Sequence, residues 1–389
     1  MAWYVYILRC GDGTLYTGIA PDVEKRLAKH NAGTGAKYTR GRLPCTLVYW
    51  EICGDRAAAS RREWEIKAMK RAEKQQLIEN GRSITTSLLI HPEELSKKWI
   101  DRVAALGVTT LALHPRGGNQ ADQTLAELLE QLQTPQTRRL LDYAASLGLQ
   151  IEYEMHAGTW LLPRDLFDRQ PDLFRMDENG ARTTKRNFCV SNPAARRKVI
   201  ARSRELVKGL YRSTGHYYFW MDDGKNLHCH CPECAHMSPS DQQLFMMNAI
   251  LRALRRQDPK AKLAYLAYHD CMEVPKTVRP EKGIFLEYAP IERDFTKPVR
   301  ENTDETRLKA LLDFFGRKDS KVLEYWYDNS LFSGWKKPEK KFVPNNRLIQ
   351  DDIAYYASLG FENISSFACV LGEEYEALHG EPDLSAFQQ

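Results

Sequence analysis

No stretch of the 389-residue sequence approaches the roughly 20 consecutive apolar residues of a membrane-spanning helix. No membrane partner is therefore expected. The first residues, MAWYVYILRCGDG, lack the basic segment, apolar core and small-residue cleavage site of a secretory signal. A cytoplasmic location is the expectation. There is no low-complexity tract and no short-period repeat. The nine cysteines do not form a disulfide framework. Six stand alone (Cys10, Cys45, Cys53, Cys189, Cys271, Cys369), and three crowd into CHCPEC, residues 229–234. In a reducing compartment such residues are thiols or metal ligands. With 43% hydrophobic and 28% charged residues, the chain reads as an ordinary soluble globular protein. Its length fits two or three domains, or one small domain and a large barrel.

Excess charge is missing from most of the chain. Residues 81–389 carry 42 Lys and Arg against 42 Asp and Glu. Residues 1–80 carry 14 against 9, so the whole net charge of +5 lies in the first fifth. A basic module of that size is a candidate binder of polyanions such as nucleic acid.

That first fifth reads as a small α+β unit. Residues 3–9 and 14–20 alternate as strands do, around the turn Cys10-Gly11-Asp12-Gly13. A helix follows, capped by Asp22 and stopped near Gly33. TLVYWEIC (46–53) is a third strand, and Asp55 caps a strong helix over 55–72. The pattern changes near Asn80-Gly81, which divides the chain into domains 1–80 and 81–389. Eight strand candidates lie beyond it, at 84–90, 109–114, 149–155, 217–222, 263–269, 284–289, 322–328 and 363–368. Helical segments separate most of them, with little room for one between the fifth and sixth. Eight strands alternating with helices predict a TIM-like (β/α)8 barrel, with an open doubly wound sheet as the alternative.

The opening strands carry more tyrosine than packing requires. Tyr6 and Tyr16 sit on facing strands, and Gly18 leaves room for a close approach. Arg26 and His30 share a helix face, and Glu63 lies on the later helix one turn before Lys67. A carboxylate, an arginine, a histidine and paired tyrosines meet the needs of phosphodiester hydrolysis. Glu63 would hold Mg²⁺ or Mn²⁺, and Arg26 would neutralise charge on the phosphoryl group. A tyrosine or His30 would take the proton of the attacking water. On spacing alone, Glu63 and Lys67 also read as an ordinary helix ion pair.

These residues carry a resemblance. YVY and YTG, ten residues apart, resemble the two halves of the GIY-YIG nuclease signature, with Arg26, the REW of Glu63 and the late Asn80 following in order. GAKYTRGRLP is similar to a segment of small stand-alone bacterial members related to structure-specific endonucleases. Tyr4 and Val5 stand where the signature has Gly and Ile. The resemblance covers residues 1–80. It implies metal-dependent cleavage of branched or flapped DNA, with Gly18, Lys37, Arg40, Lys67 and Asn80 as nucleic-acid contacts.

In a (β/α)8 barrel, chemistry sits beyond the C-terminal ends of the strands. Those positions hold His91, His114, Glu154, His156, Asp222, Asp223, His269, Asp270, Glu287, Tyr288, Tyr327 and Asp328, with Trp160, Trp220 and Trp326 nearby. Carboxylates beside flat rings suit a sugar site. Asp223 is the expected acid, with Glu287 or Asp328 as partner. FWMDDGKNLHCHCPEC resembles the D-G…C-x-C-x-x-C segment of a bacterial family of unknown function with α-glucuronidase-like or hexosaminidase-like barrels. The resemblance implies an oligosaccharide or glycoconjugate as ligand. Cys229, Cys231 and Cys234, with His236, have the makings of a tetrahedral Zn²⁺ site. The same cysteines also read as reduced thiols that pin a loop. Two function classes stand: a DNA endonuclease with an accessory barrel, and a carbohydrate-directed barrel with a nucleic-acid-binding appendage.

Overall fold

The opening hairpin forms where its sequence predicts. β1 (Trp3–Arg9) and β2 (Leu15–Ala20) pair antiparallel, with Tyr6 opposite Gly18 and Leu8 opposite Tyr16. The turn closes through Gly13 N–H to the Cys10 carbonyl at 2.8 Å, and Gly13 takes a φ of 78°. These are features of a computed structural model that describes residues 3–53, 55–82 and 85–388. The chain divides into two compact units, Met1–Ile84 with Gln350–Glu362, and Thr85–Ile349 with Asn363–Gln389.

In the first unit β3 (Thr46–Cys53) pairs with the free edge of β1, giving the order β2-β1-β3. The helices are α1 (Val23–Asn31), α2 (Lys37–Arg40), α3 (Arg56–Ala68) and α4 (Arg71–Arg82). Asp22 and Asp55 cap α1 and α3 through the amides of Lys25 and Ala58. Alternate residues of β1 feed two cores. Val5 and Ile7 pack with Ala59, Ile66 and Ile78, while Tyr6 and Leu8 pack with Tyr16, Val23 and Leu27. A strand buried on both faces has no polar side, so β1 reads as almost continuously apolar.

The second unit is a closed barrel of eight parallel strands. They are β4 (Thr85–Ile90), β5 (Thr110–Leu113), β6 (Gln150–His156), β7 (His216–Trp220), β8 (Lys262–Ala267), β9 (Ile284–Tyr288), β10 (Lys321–Glu324) and β11 (Asn363–Phe367). β11 pairs with β4, Ser365 opposite Ser87, and β10 with β9, so the sheet closes and the open-sheet alternative falls. After β4 come α5 (Lys97–Ala105), α6 (Ala121–Gln131), α7 (Pro135–Ser146), α8 (Gly158–Leu161), α9 (Pro193–Gly209) and α10 (Pro239–Leu254). Then follow α11 (Val299–Asn302), α12 (Glu305–Phe315), α13 (Asn329–Phe332), α14 (Asn346–Leu359), which groups with the first unit from Gln350 on, and α15 (Glu373–His379). Between β8 and β9 the described residues form only the short turn His269–Cys271, as the thin pattern there predicts.

Candidate functional site

In the first unit, five of the expected residues converge on one point. The Tyr6 hydroxyl lies 3.0 Å from His30 Nε2 and accepts from Arg26 Nε at 3.4 Å. The Tyr16 ring stands 6.3 Å from that of Tyr6 and 5.1 Å from that of His30. A Cβ on Gly18 would meet the Tyr6 hydroxyl at 2.7 Å and Tyr16 at 3.0 Å, so only glycine leaves this floor open.

The hydrogen bonds fix the histidine's tautomer. Thr39 Oγ1 donates to the Ala36 carbonyl, so at 2.7 Å it accepts from His30 Nδ1. His30 Nε2 is then bare and accepts the Tyr6 proton. Burial, then the charge of Arg26, lowers the His30 pKa and keeps the ring neutral. Burial pushes the Tyr6 hydroxyl up to about 12, against the pull of Arg26. The charge of Glu63 also bears on Tyr6, which places α3 beside the same site. Lys67 Nζ sits 2.8 Å from Glu63 Oε1.

Lys37 and Arg40 are exposed on α2. Asn80 falls in α4, and its side chain lies outside the described residues. Sequence reasoning missed Thr39, which orients His30, and Tyr38, whose ring stacks on Tyr16 at 6.0 Å. Both lie inside GAKYTRGRLP, but nothing local marks either as part of the site.

In the second unit the strand ends gather aromatic and histidine rings. His91, His114 and His156 each place Nδ1 against a backbone carbonyl, of His114, Glu154 and Met221, at 2.9, 2.8 and 2.6 Å. A carbonyl only accepts, so all three carry a proton on Nδ1. Burial lowers the pKa of His91 to about 4 and that of His114 well below the usual range. Trp220 contacts His114 and His156, and Phe367 contacts His114 and Tyr325. Asp223 stands among these groups with its side chain 35% exposed. It accepts from the Tyr268 hydroxyl at 2.9 Å.

The neighbouring carboxylates serve other ends. Asp222 is buried and accepts from Thr159 N–H and Oγ1, Asn187 N–H and Arg164 Nη2, at 2.6 to 3.3 Å. Glu287, expected as partner to Asp223, is fully buried inside the barrel and accepts from the Trp220 indole at 2.6 Å. Asp328, the other expected partner, is taken up as the N-cap of α13, accepting from Ser330 and Leu331. β10 ends at Glu324, four residues short of Asp328, and the chain turns there. Asp223 thus remains the accessible carboxylate among the three expected.

The cysteine cluster also differs from expectation. His236 is exposed and is not among the clustered groups. Cys189, from the segment after β6, completes the group instead, so the sulfurs of Cys189, Cys229, Cys231 and Cys234 all lie within 4.8 Å of one another. Cys189 lies forty residues upstream of the motif, and no local spacing points to it.

Residues 2–76 match the GIY-YIG catalytic domain, and residues 130–378 match the Domain of unknown function DUF4838. The chain is a DUF4838 protein with an N-terminal GIY-YIG domain. That domain is 57% identical to a UPF0213 protein of Haloquadratum walsbyi, over 21% of this chain and 91% of the relative. A UPF0213 protein of Staphylococcus saprophyticus is 53% identical, over 20% and 95%. Among solved structures, the UPF0213 protein of Bacillus halodurans is 48% identical over 20% of this chain and 84% of that chain, with a TM-score of 0.15. For the DUF4838 barrel, a GH20 module of the pneumococcal exo-β-D-N-acetylglucosaminidase covers 79% of this chain and 81% of its own. It does so at 10% identity and a TM-score of 0.41, too distant to bear on function.

Proposed function

We propose that this DUF4838 protein is a cytoplasmic endonuclease. Residues 1–80 would cleave phosphodiester bonds of branched or flapped DNA, and residues 81–389 would form a carbohydrate-directed barrel. The convergence of Tyr6, Tyr16, Arg26 and His30 over the Gly18 floor, with Glu63 beside them, supports this reading most directly. Glu63 suits Mg²⁺ or Mn²⁺, since such ions are held by one or two carboxylates with substrate phosphate and water completing the shell. When bound, the ion polarises the phosphate and stabilises the leaving oxygen. Tyr6 takes the proton of the attacking water as its own proton passes to His30 Nε2. Arg26, hydrogen-bonded to the Tyr6 oxygen, stabilises the phenolate and the phosphoryl charge. Gly18, Lys37, Arg40, Lys67 and Asn80 would contact the nucleic acid.

The test is cleavage of flapped DNA by the full chain with Mn²⁺ across pH. Once protonated, His30 cannot accept from Tyr6. Because its pKa is lowered, the acid limb is expected to fall below the ordinary imidazole value of about 6.5. His30→Ala is expected to cost about 10²–10⁴-fold. No cleavage at any pH, or an acid limb unchanged in His30→Ala, would sink the proposal.

A second reading concerns the barrel, and the accessible carboxylate of Asp223 favours it. We propose that the mouth binds an oligosaccharide or glycoconjugate, with Asp223 as the proton donor and the part-exposed Tyr268 ring as a flat wall. Aryl-glycoside turnover by the full chain is expected to drop about 10²–10⁴-fold in Asp223→Asn. Equal turnover in the two proteins would remove Asp223 from that role. We propose further that the four-cysteine cluster holds Zn²⁺, a metal suited to thiolate ligands.

A further inference from the structure

The four cysteines come from two separate segments at the barrel mouth. Cys189 lies between β6 and α9, and the other three lie between β7 and α10. All four are buried. Cys189 Sγ stands 3.6 Å from Cys231 Sγ and 3.9 Å from Cys234 Sγ. Four sulfurs about 2.3 Å from one zinc would stand about 3.8 Å apart, whereas a disulfide needs about 2.05 Å. Donors already point at the sulfurs. Met176 N–H reaches Cys229 Sγ at 3.3 Å, and Arg182 Nη1 lies 3.8 Å from it. Such donors offset the negative charge of a tetrathiolate centre.

What this cluster would hold in place is next to it. Two residues before Cys189, Asn187 takes a φ of 43° and Arg186 a φ of 57°, a conformation that non-glycine residues seldom adopt without support. Asn187 donates its N–H to Asp222 at 2.6 Å, accepts the Asp222 N–H at 2.8 Å and donates its amide to the Leu227 carbonyl at 3.2 Å. Thr159 N–H donates to Asp222 as well, at 2.9 Å. The chain then passes directly from Asp222 to Asp223. Further along, His230 N–H donates to the Met176 carbonyl at 2.9 Å, and Ser191 Oγ to the Glu233 carbonyl at 3.1 Å. Every one of these bonds crosses between the two segments.

We infer that zinc bound by Cys189, Cys229, Cys231 and Cys234 is a closed structural clip. It ties the segment after β6 to the segment after β7, holds Asn187 against Asp222 and so fixes Asp223 at the mouth. The inference rests on the zinc reading above. Four protein thiolates leave no open coordination position, so the metal takes no part in the barrel's chemistry.

Metal analysis of full-length protein purified without chelator is expected to give one zinc per chain. Replacing it with Co²⁺ is expected to give the absorption of a tetrahedral thiolate centre, altered in Cys189→Ser. Hydrogen exchange then tests the clip. After a chelator strips the wild-type protein, the amides of Thr159, Met176 and Asn187 are expected to exchange at least about tenfold faster, while β4 and β5 hold their protection. Zinc that is present and removed with those amides unchanged overturns the clip and leaves the zinc reading intact. Protein that neither carries nor takes up zinc, or that shows a disulfide at Cys189, overturns both. Exchange on stripped wild-type protein needs no variant, so a Cys189→Ser chain that fails to fold does not block the test.

Discussion

Glu63→Gln is expected to cut the proposed endonuclease activity sharply while leaving the fold in place. The carboxylate is half-buried on α3, and its partner among the described residues is the exposed ammonium of Lys67. The other two carboxylates nearby are occupied: Arg62 holds Glu51 at 2.6 Å and Glu65 at 2.9 Å. Glu63 is thus the acidic group of α3 that can release its partner and turn to a cation. The bland alternative is an i,i+4 ion pair, worth about 0.3–0.5 kcal/mol on an exposed helix. The two readings differ sharply in their consequences. A structural pair predicts a small loss of stability and undiminished cleavage. A metal carboxylate supplies several kcal/mol of transition-state stabilisation, and each ~1.4 kcal/mol is a factor of ten in rate. Cleavage of flapped DNA with Mg²⁺ or Mn²⁺ is expected to fall at least about a hundredfold in the Glu63→Gln variant. Binding of the same DNA in EDTA is expected to change little, since glutamine keeps the size of the side chain. A variant that cleaves like the wild type would leave Glu63 as a helix ion pair and no more.

How much of this was legible in the sequence depended on how local each signal was. The eight barrel strands read clearly because a strand covered on both faces is a short apolar run bounded by polar turns. The missing helix between β8 and β9 showed as a lack of length. Tyr6, Tyr16, Gly18, Arg26 and His30 lie within 25 residues of chain and read as one constellation. The barrel mouth was harder. Asp222 and Asp223 are adjacent, and only the fold shows that Asn187, Thr159 and Arg164 occupy the first and leave the second open. Glu287 lies within a strand, and only the fold shows that it is fully buried, where it accepts from the Trp220 indole. Asp328 looked like a strand end because YWYD continues the β pattern, yet the strand stops at Glu324 and the residues after it turn into a helix cap. Cys189 had no local signal at all, since its partners reach it through the packing of two loops.

The largest expected effect on stability lies inside the barrel, at Lys321. It is fully buried and pairs with Glu154, with Glu152 at 3.4 Å and the Tyr218 ring at 4.4 Å from its Nζ. Glu287 stands beside Glu154, and burial followed by the Glu154 charge holds its pKa well above the carboxylate range, so it keeps its proton. Lys321 is the cation paired with Glu154, and its charge opposes the burial that raises the Glu154 pKa. Removing one partner of a buried pair costs about 3–5 kcal/mol, because the other charge is left without compensation. Lys321→Met, which keeps much of the volume, is expected to lose that amount in urea unfolding of the full chain, in the barrel transition. The pH dependence separates this cause from simple mispacking. A carboxyl that keeps its proton only when folded favours folding fully below about pH 4.3 and loses that advantage as pH rises through its folded pKa. In wild-type protein burial raises the pKa of Glu287 and, against the pull of Lys321, that of Glu154; without Lys321 the Glu154 pKa rises further. The deficit of Lys321→Met is thus expected to be larger at pH 8 than at pH 5, whereas a cavity would cost the same at both. Adding Glu154→Gln to Lys321→Met removes the charge that needs the cation and is expected to recover much of the loss. A deficit that ignores pH and is unrelieved by the second substitution would mean that Lys321 acts through packing rather than charge.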